Sequence, residues 1–312
     1  MVWSSSAWIV LFGVASAARP TVLERAADVP FSAEPKALLA LAARPRDADN
    51  PPPLRVLLDA DAFVFHGDQR LSQTTHAIMV IDEPYALQWF RDVSLRWAPW
   101  LEDRPEVRTR VIQPDGTELW LQDDQLVEGA STQGGDAIYT TDSVLTGPLP
   151  KLELGGVIEQ VVVRHPREPL SAVSAGFDWT PAAWAEQGLV RLTVVTPAGA
   201  ELRSTVPAGR PRPKHQKTDG TAAWVWEGTG AELRVDTDAA QPAWQFSVGE
   251  GWDAVAAEYL GRVAAQQDPA GTEGLVAAVD ATGDRRARIA QAVDAVRDQV
   301  HYVGLELGES AI

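Results

Sequence analysis

Between Leu54 and Asp236 the chain is written as short extended runs broken by turn chemistry, which restricts it to a small set of β architectures. Ala62–Phe65 and Thr74–Ile81 flank a turn at His66-Gly67-Asp68. Val107–Ile112 and Glu118–Gln122 flank Gln113-Pro114-Asp115-Gly116, where Pro in second place and Gly in fourth suit a hairpin. Leu87–Trp97, Ile138–Leu145, Leu189–Thr196, Ala200–Val206, Ala222–Glu227 and Glu232–Asp236 extend the series. Val157–Arg164 alternates little, the pattern of a strand buried on both faces. Many short strands with turns between them predict an antiparallel β-sandwich.

Helical patterns lie on either side. Ser32–Ala43 reads as a short helix with Pro35 in its first turn, set between a linker at Pro20–Pro30 and a Pro/Asp-rich break at Arg44–Pro53. Trp252–Ala265 places Trp252, Val255, Ala256, Tyr259, Leu260 and Val263 on one face, and Thr272–Ala281 is a shorter helix. From Asp284 onward, Ile289, Val293, Val296, Val300 and Val303 form one apolar stripe, Asp284 is placed to cap the N-terminus, and Gly304 is a stop. A stripe of this kind needs a partner surface, so Trp252 and its neighbours are expected to pack. The first residues, Met1–Ala17, carry no charged side chain, hold an apolar run at Ala7–Val14 too short to span a bilayer, and end on Ala15-Ser16-Ala17. The expected organisation is a signal peptide at 1–17, a linker with a short helix at 18–53, an antiparallel β-sandwich at 54–248 and a helical segment at 249–312. The fold class is therefore mainly β with C-terminal helices, α+β overall.

Composition removes whole classes of function. A net charge of −16 over 312 residues argues against nucleic acid or an anionic membrane as the main partner. With no cysteine there is no disulfide, thiolate metal site or cysteine nucleophile. His66, His76, His165, His215 and His301 are scattered without an i, i+4 pair, and no nucleophile elbow, HExxH, P-loop or dinucleotide fingerprint occurs. Asp47, Asp49, Asp59 and Asp61 lack the Gly and terminal Glu of a calcium loop and read as solvated carboxylates. The basic stretch Gly209–Lys217 reads as a loop that offsets the chain's own negative field. No catalytic residue, metal or cofactor is expected. The twelve tryptophans are the rival signal: Trp224 and Trp226 share a strand face, and Trp97 and Trp100 lie close together, as do Trp179 and Trp184. Core packing explains them best, and a carbohydrate-stacking platform built on Trp97, Trp100, Trp224 and Trp226 is the alternative.

Two resemblances sharpen this reading. Val111–Gly116, followed by Leu149–Glu159 and then by Trp226-Glu227, Ala231-Glu232 and Ser247–Val255, resembles the domain of unknown function 3857 family that precedes bacterial transglutaminase-like domains. Val300–Gly308 resembles the helix that opens a transglutaminase-like core of the papain superfamily, and together the two cover about Leu54–Ile312. In that superfamily a Gly-Asp-Cys motif and later His and Asp residues complete the site, and this sequence stops before them. Taken with the missing cysteine and the Met1–Ala17 segment, the resemblance leads to the expectation of a non-catalytic, periplasmic or secreted accessory region that binds or presents protein, peptide or cell-envelope material without a stable membrane anchor. It also leaves open an N-terminal fragment of a cysteine transglutaminase or peptidase whose active site lies beyond Ile312.

Overall fold

The computed structural model of the protein describes residues 21–44, 52–131, 138–181, 186–206, 208–233, 244–266, 272–279, 282–299 and 304–306. Two compact units result, Met1–Ala130 with Asp142–Gly249, and Ser131–Thr141 with Glu250–Ile312. The expected signal peptide, Asp47, Asp49, Trp184, and the Val300–Val303 part of the last stripe lie outside the described residues.

The first unit opens with α1 (Val22–Asp28) and α2 (Pro35–Ala42). Its strands are β1 (Leu54–Phe65), β2 (Leu71–Ile81), β3 (Asp92–Trp97), β4 (Glu106–Ile112), β5 (Glu118–Trp120) and β6 (Val127–Ala130). After β7 (Ile138–Thr140), which belongs to the second unit, come β8 (Ser143–Pro148), β9 (Val157–Arg164), β10 (Ser174–Trp179), β11 (Glu186–Pro197), β12 (Arg203–Thr205) and β13 (Lys214–Lys217). The unit closes with β14 (Thr221–Thr229), α3 (Gly230–Leu233) and β15 (Trp244–Gly249). An eight-stranded sheet runs β13-β14-β11-β1-β2-β9-β4-β5, and two three-stranded sheets run β3-β8-β6 and β10-β15-β12. The expected sandwich was antiparallel throughout. The large sheet is instead mixed, because β1 pairs in parallel with β11, from Arg55 opposite Glu186 to Val64 opposite Val195.

Period-2 alternation divides the work between the two faces of the large sheet. Phe63, Leu192, Val194 and Trp226 point one way and pack on Phe177, Trp179, Trp244 and Phe246 of the β10-β15-β12 sheet. Near β4, Val107 joins Val93, Trp97 and Leu145 of the β3-β8-β6 sheet. The opposite face is covered over part of its length by α1 and α2, whose Ala26, Ala27 and Leu38 sit on Leu58, Ile78 and Val157. Register on β1 shifts between Val56 and Leu58, so Leu57 bulges. Gly188 lies beside this bulge, and a Cβ there would stand 2.5 Å from the Leu57 carbonyl oxygen.

The segment Pro20–Pro30, expected as linker, is helical: Thr21 and Glu24 form a reciprocal capping box on α1. Leu87–Trp97 is not one strand. Pro84–Phe90 is a 3-10 turn, its φ set by Pro84, and β3 begins only at Asp92. Ile138–Leu145 divides into β7 and the start of β8, in different units. Where a strand was expected at Glu232, α3 forms, because Glu232 Oε2 accepts from the Thr229 amide at 2.7 Å and its hydroxyl at 2.9 Å. The basic stretch holds edge strand β13 rather than loop alone.

The second unit contains α4 (Trp252–Gln266), α5 (Glu273–Ala277), α6 (Arg285–Gln299) and β16 (Gly304–Glu306), which pairs in parallel with β7. Asp284 caps α6, its carboxylate accepting from the Ala287 amide at 2.8 Å. Trp252, expected to pack, is 86% exposed, and Ile289, Val293 and Val296 on α6 are 55%, 58% and 47% exposed. Amphipathic spacing specifies a face, but it supplies no partner surface.

Candidate functional site

The helix-side face of the large sheet is only half covered, and its open half is a groove of about 480 Å³. That lies within the roughly 300–1,000 Å³ usual for small-ligand sites. Four adjacent strands form its floor. Register places Ala60 beside His76, Ala62 beside Thr74, and Val64 beside Ser72 on β1 and β2. Val161 and Val163 of β9 continue the row on one side, and Arg191 and Thr193 of β11 on the other. The concavity has a simple origin. Large residues at Leu58 and Ile78 meet α1 and α2, whereas the next levels along the same strands carry Ala60, Ala62, Thr74 and Thr193, too small to fill the layer. Ala27, Asp28 and Pro30 wall one end, and His66, Glu106 and His165 stand at the other.

Two buried ion clusters fix the covered end. Glu159, 0% exposed, accepts from His76 Nε2 at 2.9 Å, from Arg110 Nε at 2.8 Å and from the Phe31 amide at 2.8 Å. Burial alone would raise the Glu159 carboxyl, but the His76 hydrogen bond and the charges of His76 and Arg110 hold it below the ordinary carboxylate value. Arg110 also donates to Glu118 at 2.8 Å and to the Ala33 carbonyl at 2.7 Å. Phe31 adopts a positive φ of 62°, strained for an aromatic residue, and its ring lies 4.6 Å beneath the Arg108 guanidinium. Arg191 forms the second cluster, donating to Glu227 at 2.7 Å and to Asp28 at 2.5 Å. Burial pushes Glu227 up, and Arg191 and Lys214 more than offset it, leaving that carboxyl below its usual value. Farther back, Arg55 donates to Asp82 at 2.7 Å and to the Ala42 carbonyl at 2.6 Å. The N-terminal segment, expected as a linker with a short helix, is thus tied to the sheet by three arginines.

At the open end His66 Nε2 lies 2.8 Å from Ser72 Oγ, the separation of a base and a hydroxyl nucleophile. Burial lowers the His66 pKa, with Arg70 adding to the effect. Asp68, the carboxylate nearest in sequence, is engaged by Arg70 rather than by His66, through Oδ2 at 2.7 Å and through Oδ1 and the Arg70 amide at 3.2 Å. Asp61 projects to the sandwich side, where burial raises its pKa and Trp179 Nε1 and Thr75 Oγ1 each donate to it at 2.8 Å. Among the described residues no group of three or more His, Cys, Asp or Glu side chains is placed to hold a metal ion.

The sequence scatters its histidines, but the fold brings His66, His76 and His165 to one groove. The even spacing of Ser72, Thr74 and His76 on one strand was the available signal. The tryptophan platform does not form as a pair. Trp226 is 3% exposed and packs edge-on against Trp244, and Trp97 is buried in a separate cluster. Trp224 is half-buried and stacks on His215 with ring centres 4.8 Å apart, while Trp100 is half-buried in the turn after β3. Indoles on the inner face of a sandwich are consumed by its core. An exposed aromatic pair does occur elsewhere, Tyr85 and Trp89 on the 3-10 turn, 5.5 Å apart and perpendicular.

Comparison with known proteins agrees with this architecture. The crystal structure of a putative protease from Parabacteroides distasonis matches with a TM-score of 0.59 at 14% identity, covering 79% of this chain and 49% of that one. The chain therefore spans about half the length of that protein, and the likeness is one of fold. An M1 zinc metallopeptidase from Deinococcus radiodurans aligns at 13% identity over 64% of this chain and 42% of that one, with a TM-score of 0.34, too low to bear on the argument. No curated protein sequence matches. The model of a Domain of Unknown Function with solved structure, DUF3857, matches residues 67–231, which include the whole of β2, β9, β11 and β14 and hence three of the four strands under the groove. With more than half of its residues matched by that model, the chain belongs to the DUF3857 family.

Proposed function

We propose that the chain is a non-catalytic, extracytoplasmic accessory region that receives a ligand beside a transglutaminase-like cysteine enzyme. One observation carries the reading. The groove is open and mostly apolar, yet the charged groups around its covered end are already engaged with one another: Glu159 with Arg110 and His76, and Arg191 with Asp28 and Glu227. Groups fixed in this way shape a site and set its charge, but they do not exchange protons with a substrate. The sequence holds no cysteine to serve as the family neighbour's nucleophile. Extracytoplasmic placement rests on the uncharged, apolar Met1–Ala17 segment ending on Ala15-Ser16-Ala17. No helix among the described residues is long and apolar enough to cross a membrane.

The test is direct. The full chain, assayed for transamidase, peptidase and ester hydrolysis, is expected to show no turnover above buffer. Turnover abolished by Ser72→Ala would establish Ser72 and His66 as a working pair and overturn the reading. N-terminal sequencing of protein from its native host checks the localisation, with a mature start just after Ala17 as the expected result.

A further inference from the structure

We propose that the groove takes the single alkyl or acyl chain of a free amphiphile, with its tail against α1 and its head, free of net negative charge, at the mouth formed by His66, Glu106 and His165. This rests on the reading of the chain as ligand-receiving and names what is received. The first observation is what the groove withholds. Ser72 Oγ is taken by His66, Arg191 by Asp28 and Glu227, and His76 Nε2 by Glu159. His76 Nδ1 is sealed beneath the floor, in a residue only 3% exposed. What the floor presents is Ala60, Ala62, Val64, Val161 and Val163. Thr193 and Thr74 stand on either side of Ala62, each with a methyl beside its hydroxyl. A ligand rich in donors and acceptors would leave most of them unpaired against such a floor, at a cost for each. Methylene groups gain from leaving water and need no partner there.

The second observation is that the polarity is one-ended. Ala27 and Pro30 close the α1 end, and Asp28 beside them is spent on Arg191. At the mouth, Glu106 and His165 are each half-exposed, with His165 Nε2 3.9 Å from Glu106 Oε1. An apolar bed with solvated titratable groups at one end suits a molecule that is itself apolar with one polar end. The length is set by the strands: Ala60 to Val64 runs about 13 Å, the span of about ten carbons in an extended chain. Charge decides among heads. Glu106 stands at the mouth and the whole chain carries −16, so a neutral, zwitterionic or cationic head is favoured over an anionic one.

The experiment titrates the full chain with alkyl dimethylamine oxides of six, eight, ten and twelve carbons, each below its micelle concentration, followed by calorimetry and by methyl and amide NMR shifts. Dodecanoate and acetyl-Ala-Leu-Ala-amide serve as the contrasting probes. Expected is saturable binding that tightens about fourfold for each added methylene. The gain should level off near about ten carbons, where the bed is full. Shifts should centre on β1, β2, β9 and β11, dodecanoate should bind less tightly than the twelve-carbon amine oxide, and the peptide should not saturate. Ala62→Phe fills the bed and should weaken the ten-carbon compound about tenfold or more. Thr74→Phe, from the neighbouring strand, should act in the same way if Ala62→Phe melts early. Thr74→Val exchanges the hydroxyl for a methyl and should keep or improve the affinity. No saturable binding, affinity indifferent to chain length, equal affinity in the filled variants or a loss in Thr74→Val would overturn the proposal. So would tighter binding of dodecanoate or the peptide, or shifts on the exposed stripes of α4 and α6 instead. Such a result with an enzymatically silent chain removes the amphiphile alone, whereas turnover in the activity assays removes the accessory reading itself.

Discussion

The two pairs of helices in this protein reverse the usual expectation. In the first unit, α1 and α2 are seven and eight residues long, too short to persist alone, yet Ala26 and Leu38 are fully buried. In the second, α4 and α6 are fifteen residues each and amphipathic, yet Trp252, Tyr259, Leu260 and Val293 stand in solvent. Helix length and stripe do not decide burial. A partner surface does, together with polar anchors that fix the chain upon it. The short pair has both, since the sheet offers Leu58 and Ile78 beneath, while Arg110, Arg191 and Arg55 grip the backbone and Asp28.

Breaking the anchors should produce the largest effect. Glu159→Ala leaves Arg110, His76 and the Phe31 amide facing an empty position in a buried site, and a loss of about 3–5 kcal/mol is expected from urea unfolding. Next is the apolar half of the contrast. Leu38→Ala, at a fully buried position of a two-turn helix, should cost about 2–5 kcal/mol. Gly188→Ala tests the parallel pair under those helices: the added methyl meets the Leu57 carbonyl, and overpacking of this kind costs about 1–3 kcal/mol. Val293→Ser on α6 is the smallest, within about 0.5 kcal/mol, because the side chain is already 58% exposed. A large loss for Val293→Ser would show that the long helices are packed in solution after all.

Acid should release the anchored pair of helices from the sheet. The folded-state pKa values of Glu159 and Glu227 lie below their ordinary values. Their contribution is therefore fully present above the unfolded carboxylate range, near pH 4.3, and is lost as pH falls through the lower folded values. The His66 pKa is also lowered in the fold, so its protonation favours the unfolded chain as pH drops below about 6.5. Hydrogen exchange at descending pH is expected to open residues 21–44 before the sandwich core, and Glu159→Gln should flatten the acid limb of stability. An unchanged limb in that variant would place the acid sensitivity elsewhere.

Much of the fold was legible because β-strand periodicity is local. The hairpin around Pro114-Asp115-Gly116, the central strand Val157–Arg164 and the cap at Asp284 each depend on residues adjacent in sequence. The run Val157–Arg164 also contained the key to the site, since a lone Glu159 in a strand buried on both faces must find cations. Which cations, and what they hold, was not legible. Arg110 lies 49 residues from Glu159, and Phe31 lies 128 away.

Sequence by itself determined the β-rich class, most strand positions, the helical C-terminal segment, the lack of a thiol and the acidic charge. Tertiary structure decided that β1 and β11 run parallel, that Trp97 and Trp226 serve the core, and that the N-terminal helices grip the sheet while the C-terminal stripes stay open. It also decided that three separated histidines share one groove. The physical reason is range: turn chemistry and side-chain alternation act over a few residues, whereas strand order, buried ion pairing and the gap left where small residues align across four strands exist only once distant segments meet.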